Sequence, residues 1–153
     1  MSVKIQNSDI GDLEEIVDLN YNIFSGMYEN KPYSLFEYRD RLVDKESVIF
    51  IATESDKIIG DSIAYKDGDG LYLWILGVNK EYRSLGIGKQ LLQKNKEYAK
   101  NNNLALIKVK VFGVSVEMRQ LLENNGYKII KIEKSQKAEK YDVYYFALQI
   151  QYE

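Results

Sequence analysis

A segment near the middle of the chain limits the fold more than any other, because it joins an apolar strand to an amphipathic helix through a short loop. Residues 71–78 are mostly large and apolar, which is typical of a strand that is buried on both faces. A loop over residues 79–85 follows, and residues 86–100 carry apolar side chains at helical spacing. A buried strand that runs into a helix in this way predicts an α/β arrangement.

The rest of the chain alternates between strand-like and helix-like patterns. Strands are predicted over residues 3–6, 48–53, 58–65, 104–112, 127–132 and 141–150, and helices over residues 9–22, 34–43 and 115–124. With the central strand and helix, the order is β-α-α-β-β-β-α-β-α-β-β. No linker, repeat or low-complexity stretch interrupts this order, so we expect residues 1–153 to form one α/β (α+β) domain with a mixed sheet.

The apolar spacing also predicts which helix faces are buried. The first helix is expected to bury its apolar side, formed by Ile10, Leu13, Ile16, Val17 and Phe24. The second helix is expected to bury Leu35, Phe36 and Leu42.

The chain contains neither histidine nor cysteine. This excludes Ser-His-Asp hydrolysis, histidine-ligated metals, thiolate zinc sites, iron–sulfur clusters and cysteine nucleophiles. Proton transfer therefore has to use carboxylate, tyrosine, lysine, a chain terminus or water. A carboxylate-only magnesium or calcium site stays open, but no calcium-loop spacing occurs, and we expect no metal.

Charge and hydropathy narrow the class of partner. A net charge of −2 disfavours a nucleic-acid binder that relies on bulk electrostatics. The first twelve residues lack the basic and apolar regions of a signal peptide, and the apolar run over residues 71–78 is too short to span a bilayer. We therefore expect a cytoplasmic protein without nucleic-acid or membrane partners.

The loop between the central strand and helix has the composition of an anion-binding site. It contains Arg83, Gly86, Gly88 and Lys89. Backbone N–H groups at a helix start have no intrahelical acceptor and lie at the positive end of the helix dipole. Glycines allow a phosphate to approach that backbone closely. The loop therefore predicts a phosphate site and favours a diphosphate.

Three phosphate-binding motifs can be compared with this loop. The P-loop pattern fails at Arg83 and Gln90, and the dinucleotide pattern meets Leu91 where its third glycine belongs. The pattern R/Q-x-x-G-x-G/A is matched completely from Arg83 to Gly88. Through this motif, the chain resembles the GNAT superfamily of N-acetyltransferases. In that family, the motif forms the loop that binds the pyrophosphate of coenzyme A.

Other segments support the resemblance along essentially the whole chain. The preceding strand ends in Gly77-Val78, as the family's fourth strand commonly does. Residues 56–60 look like the hairpin between its second and third strands, and residues 123–127 look like the end of its last helix. The resemblance implies a mostly antiparallel, twisted sheet flanked by helices.

The resemblance also implies a binding mode for acetyl-CoA as co-substrate. The pantetheine arm would lie in a V-shaped opening between strands four and five, beside Leu76, Gly77 and Val78. Ser115 would face the coenzyme, at a position where many relatives carry asparagine. The pyrophosphate would be held by the loop residues Arg83, Ser84, Leu85, Gly86, Ile87, Gly88 and Lys89.

The catalytic residues of the family are matched less well. Many relatives place a tyrosine acid where this chain has Leu122, and some place a glutamate base where it has Tyr72. Our candidates for a catalytic role are Tyr72 and Glu54. Asp61 is a further relay candidate, although a solvated carboxylate is the simpler interpretation of Glu54 and Asp61. Tyr72 and Trp74 are expected on one side of their strand.

The acceptor is expected to be a primary amine, either on a small molecule or on a protein. The first two helices and their loop would shape its site, with Tyr28, Glu29, Tyr33 and Trp74 as candidate contacts, because acidic and aromatic residues suit a cationic amine. A non-catalytic acyl-CoA-binding or regulatory module on the same fold is the alternative. A homodimer through an exposed strand edge and an acyl group longer than acetyl both stay open.

Overall fold

The computed structural model describes residues 2–27 and 31–152 of the chain. Within these residues there are seven strands and four α-helices. In chain order they are β1 Lys4–Ser8, α1 Leu13–Phe24, α2 Leu35–Leu42, β2 Ser47–Glu54, β3 Lys57–Asp67, β4 Gly70–Val78, α3 Ile87–Asn101, β5 Leu106–Phe112, α4 Val116–Asn124, β6 Lys128–Glu133 and β7 Val143–Gln149. The predicted order of elements is confirmed, with ends that differ by a few residues.

The strands form one sheet in the order β1-β2-β3-β4-β5-β7-β6. Neighbouring strands are antiparallel except for β4 and β5, which are parallel. The predicted mixed, mostly antiparallel sheet is therefore confirmed. The single parallel pair exists because α3 carries the chain back across the sheet between β4 and β5.

The two faces of the sheet are covered by different helices, and each face has its own apolar core. One core contains Ile87 and Leu91 of α3 and Leu122 of α4. The other contains Leu13 and Ile16 of α1, together with Tyr38 and Leu42 of α2. This arrangement places α3 and α4 on one side of the central strands, and α1 and α2 on the other.

The predicted face of α2 is wrong at one position. Phe36 is 75% exposed, and the buried residue is Tyr38, at 2% exposure. The helix begins after Ser34, whose side chain and that of Glu37 form a reciprocal capping box. With this start, Leu35, Tyr38 and Leu42 share one face, at i, i+3 and i+7. Phe36 lies a quarter turn or more away from that face.

The start of the first helix also differs from its prediction. Residues 10–12 form a 3₁₀ turn, the α-helix begins at Leu13, and Ile10 is 62% exposed. The side chain of Asp9 accepts a hydrogen bond from the N–H of Gly11, which caps this tighter turn. Ile23, which the prediction did not include, is buried near the other end of the helix.

Within the described residues, no helix combines the length and apolarity needed to cross a membrane.

Candidate functional site

An open wedge separates β4 from β5 over the second half of β4. The two strands are paired only at Leu71–Ile107, Tyr72–Lys108 and Leu73–Val109, whereas β4 continues to Val78. Beyond Leu73, β4 remains paired with β3 on its other edge. One edge of β4 therefore faces a gap that an extended chain of ligand atoms can enter and pair with, as a strand would.

A bulge lies where the two strands part. The register between β3 and β4 pairs Ile63 with Ile75 and Ala64 with Leu73, so Trp74 has no direct partner on β3. An extra residue in one strand bends that strand and increases its local twist. The bulge thus turns β4 away from β5 at the narrow end of the wedge.

The loop at the wide end of the wedge exposes a row of backbone donors. Within the described residues, the N–H groups of residues 84–89 donate no hydrogen bond, and no side chain caps α3. Ser84 and Gly86 both have positive φ, at +65° and +81°. Gly86 is left-handed and Ile87, the first residue of α3, is helical, and such a pair aims successive N–H groups into one concavity, which binds anions. Together with the dipole of the fifteen-residue α3, this concavity suits a phosphate group.

The side chain of Arg83 fastens this loop to the rest of the protein. Its Nε donates a hydrogen bond of 3.2 Å to the carbonyl of Val78, and one guanidinium nitrogen lies 3.7 Å from Glu117 Oε2 on α4. Arg83 is therefore partly engaged by the protein's own groups. The positive charge that it contributes is held beside the loop, at the end of β4.

The two glycines of the loop serve different purposes. At Gly86, the positive φ favours glycine, and a Cβ would find open space. At Gly88, a Cβ would come within 2.9 Å of Leu121 Cδ2 on α4. Gly88 therefore permits α3 and α4 to pack closely, a role that its sequence context does not reveal.

The remaining residues predicted to contact the coenzyme lie near the ends of β4 and β5. Leu76 is buried in the core on the α3 side, so only its main chain is available to a ligand. A Cβ at Gly77 would meet Asn20 Oδ1 at 2.9 Å, so this glycine allows α1 to pack against β4. Ser115 is buried immediately before α4, close to where β5 ends.

Tyr72 and Trp74 both pack against the core on the α1 and α2 side, as predicted. Tyr72 lines a cleft of about 280 Å³ together with Lys110 and Tyr145. Burial raises the pKa of Tyr72 to about 12, and nearby Tyr65 adds to the rise. Tyr72 is therefore a protonated phenol at neutral pH, able to donate a hydrogen bond but unable to act as a base.

The structure does not bring Glu54 and Tyr72 together. On β3, Glu54 is paired with Lys57 and Tyr72 with Tyr65. The eight-residue separation along that strand corresponds to roughly 26 Å. Glu54 Oε1 accepts a hydrogen bond of 3.1 Å from Tyr82, next to the loop before α3. The two candidate catalytic residues therefore belong to opposite ends of the wedge.

A cluster of aromatic side chains, with a guanidinium stacked on one of the rings, lies over the narrow end of the wedge. The ring of Trp74 is 5.3 Å from that of Tyr33 and 5.0 Å from that of Tyr38, between ring centres. The guanidinium carbon of Arg41 is 4.7 Å from the centre of the Trp74 ring. Of the predicted acceptor residues, Tyr33 and Trp74 are thus brought together, whereas Tyr28 and Glu29 lie outside the described residues.

Sequence reasoning missed Arg41, although one signal was present. Arg41 follows Tyr38 at the i, i+3 spacing that places two side chains on the same helix face. Tyr38 was not recognised as the buried residue of α2, so its neighbour on that face was not recognised either.

A polar cluster lies in the core beneath this aromatic group. Asp61 and Asn20 are both buried, and Asn20 Nδ2 donates a hydrogen bond of 2.9 Å to Asp61 Oδ2. Burial raises the pKa of Asp61 to about 7. Burial and the nearby Asp61 also raise the pKa of Tyr38. The expectation that Asp61 is a solvated carboxylate is therefore wrong, because α1 covers it.

Comparison with known proteins places this fold in one family. Residues 13–127, three quarters of the chain, match the model of the Acetyltransferase (GNAT) family. The chain belongs to that family, as the loop from Arg83 to Gly88 predicts.

Solved structures with the same fold extend over nearly the whole chain. The ribosomal-protein-S18-alanine N-acetyltransferase from Escherichia coli has a TM-score of 0.84 at 17% identity and covers 99% of this chain and 96% of its own. A GNAT-family acetyltransferase from Staphylococcus aureus Mu50 has a TM-score of 0.81 at 19% identity, and the match covers 98% of this chain and 100% of the other. The PaiA N-acetyltransferase from Thermoplasma acidophilum, solved in complex with coenzyme A, has a TM-score of 0.77 at 18% identity, covering 97% and 99%.

Proposed function

We propose that the protein is an acetyl-CoA-dependent N-acetyltransferase that moves the acetyl group to a primary amine by direct attack. The observation that carries the proposal is the row of free N–H groups from Ser84 to Lys89, at the wide end of the wedge between β4 and β5. Membership of the GNAT acetyltransferase family supports the same activity.

The described residues fit the shape and charge of the coenzyme. The concave loop before α3 would hold the pyrophosphate through the backbone, with Lys89 adding positive charge in the first turn of the helix. The free edge of β4 around Leu76 and Val78 would take the pantetheine arm as an added strand. The carbonyl of Val78 already accepts a hydrogen bond from Arg83, which leaves its second lone pair for this purpose.

When bound, the coenzyme supplies an acetyl thioester that an amine can attack. The amine nitrogen forms the new bond, the carbon–sulfur bond breaks, and the proton that the nitrogen loses ends on the sulfur. Tyr72 lies beside the last paired residues of β4 and β5, and its phenol would donate a hydrogen bond to the charge that develops there. The acceptor would enter from the α1 and α2 side, past Tyr33 and Trp74.

A non-catalytic acyl-CoA-binding module is the second candidate, and one observation favours it. Leu122, at the position of the usual acid, is fully buried in the core on the α3 side. Its side chain can contribute no proton, and Glu54 lies far from Tyr72 along the sheet. An enzyme on this fold would instead operate with a hydrogen bond from Tyr72 and with water as the base.

Thermal unfolding with and without acetyl-CoA tests the coenzyme site. Ligand at a hundred times its dissociation constant stabilises a fold by roughly 2.7 kcal/mol. For a chain of this size, that corresponds to a rise in Tm of about 5–10 °C. The absence of a rise at saturating coenzyme would contradict the proposal. Release of free thiol across a panel of amines then separates the candidates, because the binding module gives a rise in Tm without turnover.

The edge strand β6 supports a homodimer as part of the proposal. It is paired only with β7 in the described residues, and its side chains Ile129, Ile130 and Ile132 are exposed. An exposed apolar edge strand is a template for pairing with a second copy. Sedimentation of the wild type and of an Ile130→Lys variant measures this, and a wild type that is monomeric at high concentration would contradict it.

A further inference from the structure

We infer that the acceptor is a primary amine that also carries a carboxylate, as an α-amino acid does, and that Arg41 binds this carboxylate. The inference deepens the proposed function and rests on it for the position of the thioester. It begins from the place of Arg41, on α2, directly over the ring of Trp74 at 4.7 Å from its centre. Trp74 is the bulged residue at which β4 parts from β5.

The guanidinium of Arg41 has donors to spare. One Nη1 hydrogen bond of 3.2 Å goes to the hydroxyl of Tyr65, and no carboxylate of the described residues lies within ion-pair distance. A guanidinium carries five N–H donors in a planar fork. The remaining donors are therefore available to a ligand, in the bidentate geometry that suits a carboxylate.

The aromatic surroundings hold this fork in place. Arg41 lies over Trp74 and is also 5.9 Å from the centre of the Tyr33 ring. The hydrogen bond to Tyr65 fixes its other side, and Tyr65 is in turn packed edge-on against Tyr72, at 5.4 Å between ring centres. A side chain that is held by stacking and a hydrogen bond loses little further entropy when it binds a ligand.

The charges on this side of the sheet favour an anion over a polyamine. Lys45 lies over the ring of Tyr65, and Lys110 lines the cleft with Tyr72, both without a carboxylate partner among the described residues. Three acidic groups on this side are already engaged: Asp67 pairs with Lys108, Glu133 with Lys131, and Glu37 caps α2. Arg41, Lys45 and Lys110 are therefore cations without an ion pair among the described residues, and such cations attract acceptors that carry negative charge.

Binding of the carboxylate to Arg41 would also position the amine for attack. A carboxylate on Arg41 lies at the narrow end of the wedge, and the amino group of an α-amino acid is on the adjacent carbon. The nitrogen is then held close to the point where the strands part, which is where the proposed function places the thioester. A polyamine or a peptide without an acidic group would leave the donors of Arg41 without a partner.

The test uses matched pairs of acceptors that differ only in the carboxylate. Each common α-amino acid and its carboxamide are titrated into the full chain in the presence of coenzyme A, and are assayed for acetyl transfer from acetyl-CoA. For the best acceptor, we expect the free acid to exceed the amide by at least about tenfold in affinity and in kcat/KM. An amide or a neutral peptide that is bound and acetylated equally well would overturn the inference and leave the proposed function intact.

Variants of α2 assign the effect to Arg41. We expect Arg41→Gln to bring the ratio of acid to amide close to one, with coenzyme affinity unchanged, and Arg41→Lys to retain part of the preference because it keeps the charge without the fork. Arg39→Gln removes a cation from the exposed side of the same helix and serves as the matched control. If Arg41→Gln unfolds, Arg41→Lys carries the test. An unchanged ratio in the folded variant would overturn the inference.

The binding measurement separates the two proposals. Carboxylate-dependent binding that is lost with Arg41, in a protein that transfers acetyl to no amine, would support the acceptor site and contradict the enzymatic activity. Acetyl transfer that is equally fast with the acid and the amide would support the enzymatic activity and contradict the carboxylate site.

Discussion

Asn20 Nδ2 donates a hydrogen bond of 2.9 Å to Asp61 Oδ2 in the interior of the protein, between α1 and β3. Within the described residues, the second carboxylate oxygen of Asp61 has no partner. A buried carboxylate with a single neutral donor is costly to ionise. The pKa of Asp61 is therefore raised from 3.8 to about 7 by burial, although the bond from Asn20 opposes the rise.

This pair makes the free energy of unfolding depend on pH. Because the pKa of Asp61 is higher in the folded state, the folded protein holds a proton between about pH 4 and pH 7 that the unfolded chain has lost. The contribution of this proton to the free energy of unfolding is fully present below pH 4. It declines by up to about 1.4 kcal/mol per pH unit until pH 7. Asp61→Asn keeps the shape of the side chain and removes its titration. We therefore expect the free energy of unfolding of this variant to increase relative to that of the wild type as the pH rises.

Urea denaturation at intervals between pH 4 and pH 8 measures this difference. Asp56→Asn is the matched control, because Asp56 is exposed in the turn between β2 and β3. Its stability relative to the wild type is expected to stay constant over the same range. Parallel pH curves for Asp61→Asn and the wild type would contradict the prediction.

A charge reversal in the first turn of α3 tests the anion site. Lys89→Glu places a carboxylate beside the N–H groups that would hold the pyrophosphate, so we expect the Kd for acetyl-CoA to rise at least about tenfold. Because Lys89 is exposed, Tm without ligand stays close to that of the wild type. Lys96→Glu makes the same change on the exposed face of α3, about 10 Å away along the helix. Calorimetric titration of both variants is the measurement, and equal weakening would mean that the effect is one of net charge.

Removing a single hydroxyl tests the role of Tyr72. Tyr72→Phe keeps the ring that packs against Tyr65 and loses only the donor. We expect kcat to fall roughly 10–100-fold, with the affinity for acetyl-CoA unchanged. Because the pKa of Tyr72 is about 12, the pH profile of the wild type should show no loss of activity from this group below about pH 11. Tyr98→Phe, on α3, is the control, and a kcat that both variants leave intact would reduce Tyr72 to a packing residue.

A double-mutant cycle tests the close contact between α3 and α4. A Cβ at Gly88 would lie 2.9 Å from Leu121 Cδ2, so Gly88→Ala forces the end of that side chain to move. We expect this overpacking to outweigh the gain in helix propensity, with a net cost of at most about 1 kcal/mol. In a Leu121→Ala background the space is open, and alanine is a better helix former than glycine by up to about 1 kcal/mol. The substitution should then be neutral or stabilising. Urea denaturation of the four proteins gives the coupling, and an identical cost in both backgrounds would contradict it.

The loop before α3 shows how far local sequence can predict backbone geometry. Gly86 needs a left-handed backbone, and the free N–H groups that follow it belong to any helix start. Neither feature depends on distant parts of the chain, and the free N–H groups at the helix start were predicted from the motif between Arg83 and Gly88. The contacts of the Arg83 side chain could not be predicted in this way, because its partners Val78 and Glu117 come from β4 and α4.

The catalytic and acceptor residues depend on which strands and helices meet. Glu54 and Tyr72 are both near strand ends, and their separation of eight residues along β3 follows only from the pairing of β2, β3 and β4. The burial of Asp61 likewise requires α1 above it. Hydrophobic periodicity indicates that a helix has an apolar face, but it does not show which residue of an aromatic pair will be covered.

Local sequence was enough to predict the order of the elements, the mixed sheet, a glycine loop before α3 and the family. These follow from periodicity, glycine positions and helix-end chemistry, all of which act over a few neighbouring residues. Three features could be read only from the packed molecule: Tyr38 rather than Phe36 is buried, β4 leaves β5 after Leu73, and Arg41 lies over Trp74. Those outcomes depend on side chains far apart in sequence packing into one volume, where the burial of one residue decides the exposure of another.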